Sequence, residues 1–380
     1  METIKIKDLT KDKKGHYGIG ASAENYVPTH PEYLRITDIT DYGDISSNLP
    51  CTINPIIYPN WNKYQLKSND IVFARTGNST GRNYFCKNII NPTVFAGFLI
   101  KFSLDPNLIN PQYVGYYCQS KAYWNQIKSL FTGSTRSNVN AEQYGNLNIP
   151  IVSSSLQQHI VDTIGSLDDL LDNLKDQKAK IISFIQSKLK YFTSGIIDFN
   201  DLNPEIIKSG IHSFDKDKIY IDTSSVEGIN NISNGERVTF KKRPSRANMQ
   251  PVSSSVWFAK MKGSNKIILV TNKDTDLIGN NIFSTGFLGI KKSNKLPISY
   301  LMAIITSKEF EIQRDLNSVG TTMAGINNNT LLKIKVPKFD EKSMTVFKEI
   351  CDPLVLALSN IRRKTSEIKK LKEKLLEKYF

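Results

Sequence analysis

Between about Leu156 and Phe192 the apolar residues fall on one repeating spacing of three and four. Ile164, Leu167, Leu171, Leu174, Ile181, Ile185 and Leu189 occupy it, flanked by Asp168, Asp169, Asp172, Lys175, Asp176 and Lys180. This period puts the apolar set on one stripe of a helix, and over several turns it marks a seam for a second helix. Lys178 interrupts the seam, as single polar residues in coiled coils do to fix register. A similar stripe runs from about Glu341 to Phe380, through Cys351, Leu354, Leu358, Ile361, Thr365, Ile368, Leu371 and Leu375. Shifted by 187 residues, six of these eight positions are apolar in both stripes: Ile164 falls on Cys351 and Leu167 on Leu354, while Lys178 falls on Thr365, polar in both.

The segments between have a shorter period. YLRITDIT (33–40), DIVFAR (70–75) and FAGFLIKFSL (95–104) are β-rich runs bounded by Gly, Asn, Pro and Asp turns. A helix is predicted from Pro111 to about Leu130, followed by a polar loop at 131–140 and a strand-like LNIPIV at 147–152. The second half repeats this order. Tyr33 pairs with Tyr220, FARTG (73–77) with FAKMKG (258–263), and GFLIK (97–101) with GFLGIK (286–291). Ser120-Lys121 pairs with Ser307-Lys308, and GSTRSNVN (133–140) with GTTMAGIN (320–327).

A duplicated unit follows, of α+β class. It predicts a globular domain at 1–152, a helix at 153–192, a linker at 193–206, a second globular domain at 207–340 and a second helix at 341–380. Each domain is a mixed α/β body followed by its long helix, and the two helices can pair as an antiparallel coiled coil, like a dimer fused into one chain. About 35 helical residues span roughly 50 Å.

The chain has 380 residues and a formal net charge of +14, which suits a nucleic-acid partner. Cys51, Cys86, Cys118 and Cys351 are scattered and form no C-x-x-C pair, so reduced thiols are expected rather than a disulfide framework or a zinc site. No run approaches the roughly 20 apolar residues of a membrane helix, and no apolar signal core opens the sequence, so a cytoplasmic location is expected.

Little in the sequence points to catalysis. There is no G-x-x-x-x-G-K-[ST] phosphate loop, and YGIGAS (17–22) reads as a tight turn. His16, His30, His159 and His212 accompany no metal or acid–base motif. Neither a cofactor nor a metal site is expected, and no catalytic residue is assigned. The chemistry lies in polar loops rich in Arg, Lys, Ser, Thr and Asn, set between β-rich segments. Arg and Lys neutralise phosphates, and Arg, Asn and Gln reach base edges in the major groove. The candidate DNA contacts are Arg75, Arg82, Ser134, Thr135 and Arg136 in the first domain. In the second they are Lys242, Arg243, Arg246, Lys260, Thr321 and Thr322.

The most specific stretches are YGIGASAENY (17–26), DIVFARTGNSTG (70–81), NIPIVSSSLQQHIVDTIGSLDDLLD (148–172), YIDTSSVEG (220–228) and KKRPSRANMQPV (241–252). Through them the chain resembles the specificity (S) subunit of type I restriction-modification systems over essentially its whole length. One departure is that the second half has no copy of YGIGASA. The resemblance implies a non-catalytic subunit with two target-recognition domains, each reading half of a bipartite, interrupted double-stranded DNA sequence. It implies docking of two methyltransferase (modification) subunits, with restriction subunits added to that assembly. S-adenosylmethionine, ATP and magnesium would belong to those partners. Alternatives are a specificity subunit for a stand-alone DNA adenine methyltransferase, a coiled-coil scaffold that never touches DNA, and an enzyme with an unrecognised site.

Overall fold

DIVFA (Asp70–Ala74) and SVWFA (Ser255–Ala259) are buried at every residue, which explains why both read as continuous apolar runs rather than alternating ones. Each strand is one of the two inner members of a four-stranded sheet covered on both faces. Ile71 and Phe73 point to a core shared with the helices, including Tyr113, Tyr123 and Ile164, while Val72 and Ala74 face a second sheet through Leu34 and Phe95. In the later half, Val256 and Phe258 face the helical core and Trp257 and Ala259 the other.

The computed structural model describes residues 2–45, 49–89, 91–130, 138–233, 235–320 and 324–380. It divides into two units, residues 1–170 with 368–380, and residues 171–367. Their first sheets match strand for strand, while the second sheets share one parallel pair and differ at the edges. In unit 1 the first sheet runs His16–Tyr17, Leu99–Ser103, Asp70–Ala74, Asn83–Phe85, and in unit 2 Glu205–Ile206, Phe287–Lys291, Ser255–Ala259, Ile267–Val270. Each second sheet contains one parallel pair, Glu32–Leu34 with Thr93–Phe95 and Lys218–Ile221 with Asn281–Ser284.

The segment expected as a linker is part of unit 2. Gly195–Asp198 pairs antiparallel with Lys335–Lys338, as Thr3–Lys5 pairs with Asn148–Pro150 in unit 1. Glu205–Ile206 takes the sheet position of His16–Tyr17, so the second half has a structural counterpart of that strand despite its different sequence.

The helix expected over 111–130 is two helices, Pro111–Tyr117 and Lys121–Ser129. Ser120 is extended between them and its side chain accepts the Tyr123 N–H, so a cap starts the second helix afresh. Ser307 does the same for Lys308–Leu316 after Ile298–Ile305. YLRITDIT is a strand only at Glu32–Leu34, followed by a 3-10 turn at Ile36–Asp38.

Two 39-residue helices, Ser154–Phe192 and Glu341–Tyr379, contribute to both units. Unit 1 packs the start of the first against the end of the second, with Ile160, Val161 and Ile164 in one cluster with Leu375 and Leu376. Unit 2 packs the end of the first against the start of the second, with Ile185 and Leu189 among Phe347, Cys351, Val355 and Leu358. The pairing is therefore antiparallel.

The central helix buries Ile164, Leu167 and Leu174, and Leu171 and Ile181 in part. In the C-terminal helix Leu358 and Ile361 are buried, and Leu354 and Ile368 partly so, but Leu371 is 47% exposed and does not belong to the seam. The shielded positions there also include Val355, Ser359, Arg362, Lys369, Lys372 and Leu376, one residue later than the apolar pattern at several turns. Long basic side chains occupy some of them because their charged tips find partners. Arg362 meets Asp274, Lys369 lies over the Tyr42 ring, and Lys372 meets Asp168.

Candidate nucleic-acid interface

Arg75 follows the central strand of unit 1 and is fixed through its backbone. Its N–H donates to Phe98 O (3.0 Å), and its carbonyl accepts from Val139 N (3.0 Å). The loop behind it closes where Ala74 N meets Arg82 O (2.8 Å) and Gly81 N meets Ala74 O (3.0 Å). Gly81 has φ +93°, and a Cβ there would lie 2.7 Å from Trp124, so glycine is required. The Arg75 guanidinium sits 4.9 Å over the ring of Tyr17, whose hydroxyl accepts the Ala141 N–H (3.2 Å). A stacked, pre-oriented guanidinium suits phosphate or base-edge recognition, because less freedom is lost on binding.

Lys260 stands at the same place in unit 2. Its N–H donates to Gly286 O (2.9 Å), and its carbonyl accepts from Ile326 N (2.9 Å). Its Nζ donates to Thr285 O (2.8 Å), and burial lowers its pKa from the ordinary value. The following turn carries Lys262 and Gly263, the latter at φ +73° with its N–H held by Asp315 (3.1 Å).

The other candidates divide. Arg82 pairs with Asp41 (2.6 Å) and donates to Ile39 O, so it ties the 39–42 turn to the loop. Arg243 donates to Phe240 O and to Ala247 O and lies 4.4 Å over the Phe240 ring, which organises its own loop. Lys242 and Arg246 are exposed, as is Lys241, and none of the three has a carboxylate partner among the described residues. Ser134, Thr135, Arg136, Thr321 and Thr322 lie outside the described residues. The chain flanking both stretches is placed: Thr76 bridges Asn138, and Met261 bridges Gly325.

The contact of Tyr17 with Arg75 is not legible in the sequence. The Tyr17 segment is no tight turn. Gly18 crosses the backbone of residues 95–96 so closely that a Cβ would lie 2.2 Å from Ala96 O. Among the described residues no group of three or more His, Cys, Asp or Glu could hold a metal ion. Among the described residues no helix is long and apolar enough to cross a membrane. Each unit carries a cleft where the chain entering Pro111–Tyr117, or Ile298–Ile305, meets the start of a long helix, about 380 Å³ in unit 1 and about 460 Å³ in unit 2. Their linings correspond across the repeat, Asn107 with Asn294, Asn110 with Pro297, and Gln157 with Met344.

Residues 1–183 match the family model described as the type I restriction modification DNA specificity domain. Over those residues the chain is similar to that DNA specificity domain. Among solved structures it is similar to a type I restriction-modification S subunit from M. genitalium, with TM-score 0.52 and 16% identity, covering 100% of this chain and 96% of that one. The HsdS subunit from Thermoanaerobacter tengcongensis aligns at TM-score 0.35 and 12% identity, over 100% of this chain and 96% of that one. No curated protein matches the chain in sequence.

Proposed function

We propose that the chain is a specificity subunit that reads a bipartite double-stranded DNA target, one half-site per unit. The observation that carries this reading is the shared backbone setting of Arg75 and Lys260, which gives each unit one cation at the same point of the same fold. The two recognition domains correspond to 1–152 and 207–340, the latter preceded by strands from 195–206. The long helices act as the spacer, so that their length sets the unspecified DNA between half-sites, by the logic that ties dimer geometry to half-site separation. Equivalent clefts in both units support docking of a partner present twice, which we assign to two methyltransferase subunits, with restriction subunits joining through them.

The test is binding of duplex DNA by the chain co-purified with its methyltransferase partner across a salt series. Contacts to several phosphates predict that affinity falls by about 10³ or more between 50 and 200 mM salt for six or more contacts. Binding that ignores salt, or no binding by the assembled complex, contradicts the proposal.

A further inference from the structure

Asp274 has no solvent exposure and sits in the turn after the strand Ile267–Val270 of unit 2. One oxygen accepts from the N–H and hydroxyl of Thr271, both at 2.7 Å. The other accepts from Ser359 Oγ (2.6 Å) and from the Arg362 guanidinium (2.7 Å). Ser359 and Arg362 are three residues apart on the C-terminal helix, so they share one face. Arg362 is 8% exposed in its side chain and also reaches Asp276 at 3.0 Å. The cluster is thus a charged fastening between the globular part of unit 2 and one face of a long helix.

Buried ion pairs add little stability compared with apolar packing of similar volume, because desolvation offsets the attraction. Their directional bonds instead select one arrangement from several of similar energy. Apolar side chains in a helical groove tolerate small rotations. A guanidinium divided between two carboxylates does not.

The position of the fastening gives this selectivity a consequence. Ser255 pairs with Val270 at the end of the sheet near Asp274, and Lys260 follows Ala259 at the other end. Five strand residues separate them by about 16 Å. A rotation of about 12° at the fastening would therefore displace Lys260 by about 3.4 Å, which is the rise of one base pair and accompanies about 34° of helical twist.

Building on the specificity-subunit reading above, we propose that Arg362, acting through Asp274, is a positioning residue that fixes the rotation of the second recognition domain on the C-terminal helix. It thereby sets how strictly the protein measures the gap between half-sites.

The test uses the chain assembled with its methyltransferase partner, and duplexes carrying the target with its native gap or with one base pair added or removed. The wild-type complex should methylate the native gap preferentially. Arg362→Met keeps the volume and removes the directional bonds. It should lower that preference by about tenfold, the order of one base pair's worth of contact, while activity on the native gap changes by less than about threefold. A purely structural role would lower activity on all three duplexes together, and an unchanged preference in folded Arg362→Met would likewise overturn the proposal. Should Arg362→Met not assemble, Arg362→Lys, which keeps the charge but loses the fork, is read by the same ratio. A wild-type complex with no gap preference would instead refute the bipartite reading itself.

Discussion

Lys260 occupies in the second unit the position that Arg75 occupies in the first. Both follow the last residue of a fully buried strand, and both have donor and acceptor taken by the same two neighbouring loops. A pair of cations so placed, one per repeat, is what reading two half-sites calls for. The side chains then differ, Arg75 lying over Tyr17 and Lys260 bonded to Thr285 O. The two units therefore present different side-chain chemistry at one position of a shared scaffold.

Replacing either residue should affect one half-site only. Arg75→Ala should weaken cognate binding by about 1–3 kcal/mol and relax base preference at a position in one half-site if the guanidinium reads a base edge. If it holds a phosphate, all sequences should weaken alike and the salt slope should fall by about one. Competition binding with half-site variants separates the outcomes, and Lys260→Ala should act on the other half-site.

Asp168 joins three parts of unit 1. It accepts from Lys372 Nζ (2.6 Å) and from the Tyr116 hydroxyl (2.9 Å). Asp168→Ala leaves both donors without their acceptor in a partly buried setting, and thermal unfolding should show a loss of about 1–3 kcal/mol. Asp169, one residue on, is 70% exposed in its side chain and lies 3.9 Å from Lys87. Asp169→Ala should change stability by less than about 0.5 kcal/mol.

Burial of Asp274 disfavours its charged form, but hydrogen bonds from Ser359, Arg362 and Thr271 outweigh this and hold its pKa below the ordinary 3.8. A depressed carboxyl pKa contributes stability that is present above the unfolded value and is lost as pH falls through the folded one. Unit 2 should therefore be insensitive to this group from neutral pH down to about 4 and lose stability below it. In Asp274→Asn the loss below pH 4 should be shallower and stability at neutral pH lower, as followed by urea unfolding at a series of pH values.

Gly18 is a sharper test of the Tyr17 setting. A methyl group there meets two backbone carbonyls, Ala96 O at 2.2 Å and Phe95 O at 2.3 Å, and neither can turn aside as a side chain could. Gly18→Ala should cost about 1–3 kcal/mol and displace Tyr17 from Arg75. Reduced DNA binding should accompany the lower melting temperature. Gly20→Ala, where nothing lies within 4 Å, should leave both unchanged.

The repeat, the long helices and the buried strands were legible because each is a pattern of apolar residues at a fixed period. The pattern misled where polar groups took core positions. Leu371 looked like seam and is exposed, while neighbouring Lys372 turns inward because Asp168 and Tyr116 receive its charge. Short edge strands were also hidden. Gly195–Asp198 and Glu205–Ile206 are defined by partners more than 80 residues away, which local propensity does not register. Among the candidate contacts, sequence did not show that Arg75 and Lys260 share one backbone setting, nor that the guanidinium groups of Arg82 and Arg243 are engaged within the protein.

The central claim is that one chain reads two separated half-sites. Single-molecule sequencing of methylated adenines, in cells expressing this chain with its methyltransferase partner, tests it most directly. The account predicts one motif made of two short specified segments separated by a gap of constant length. A continuous motif, or half-sites joined by gaps of varying length, would contradict it.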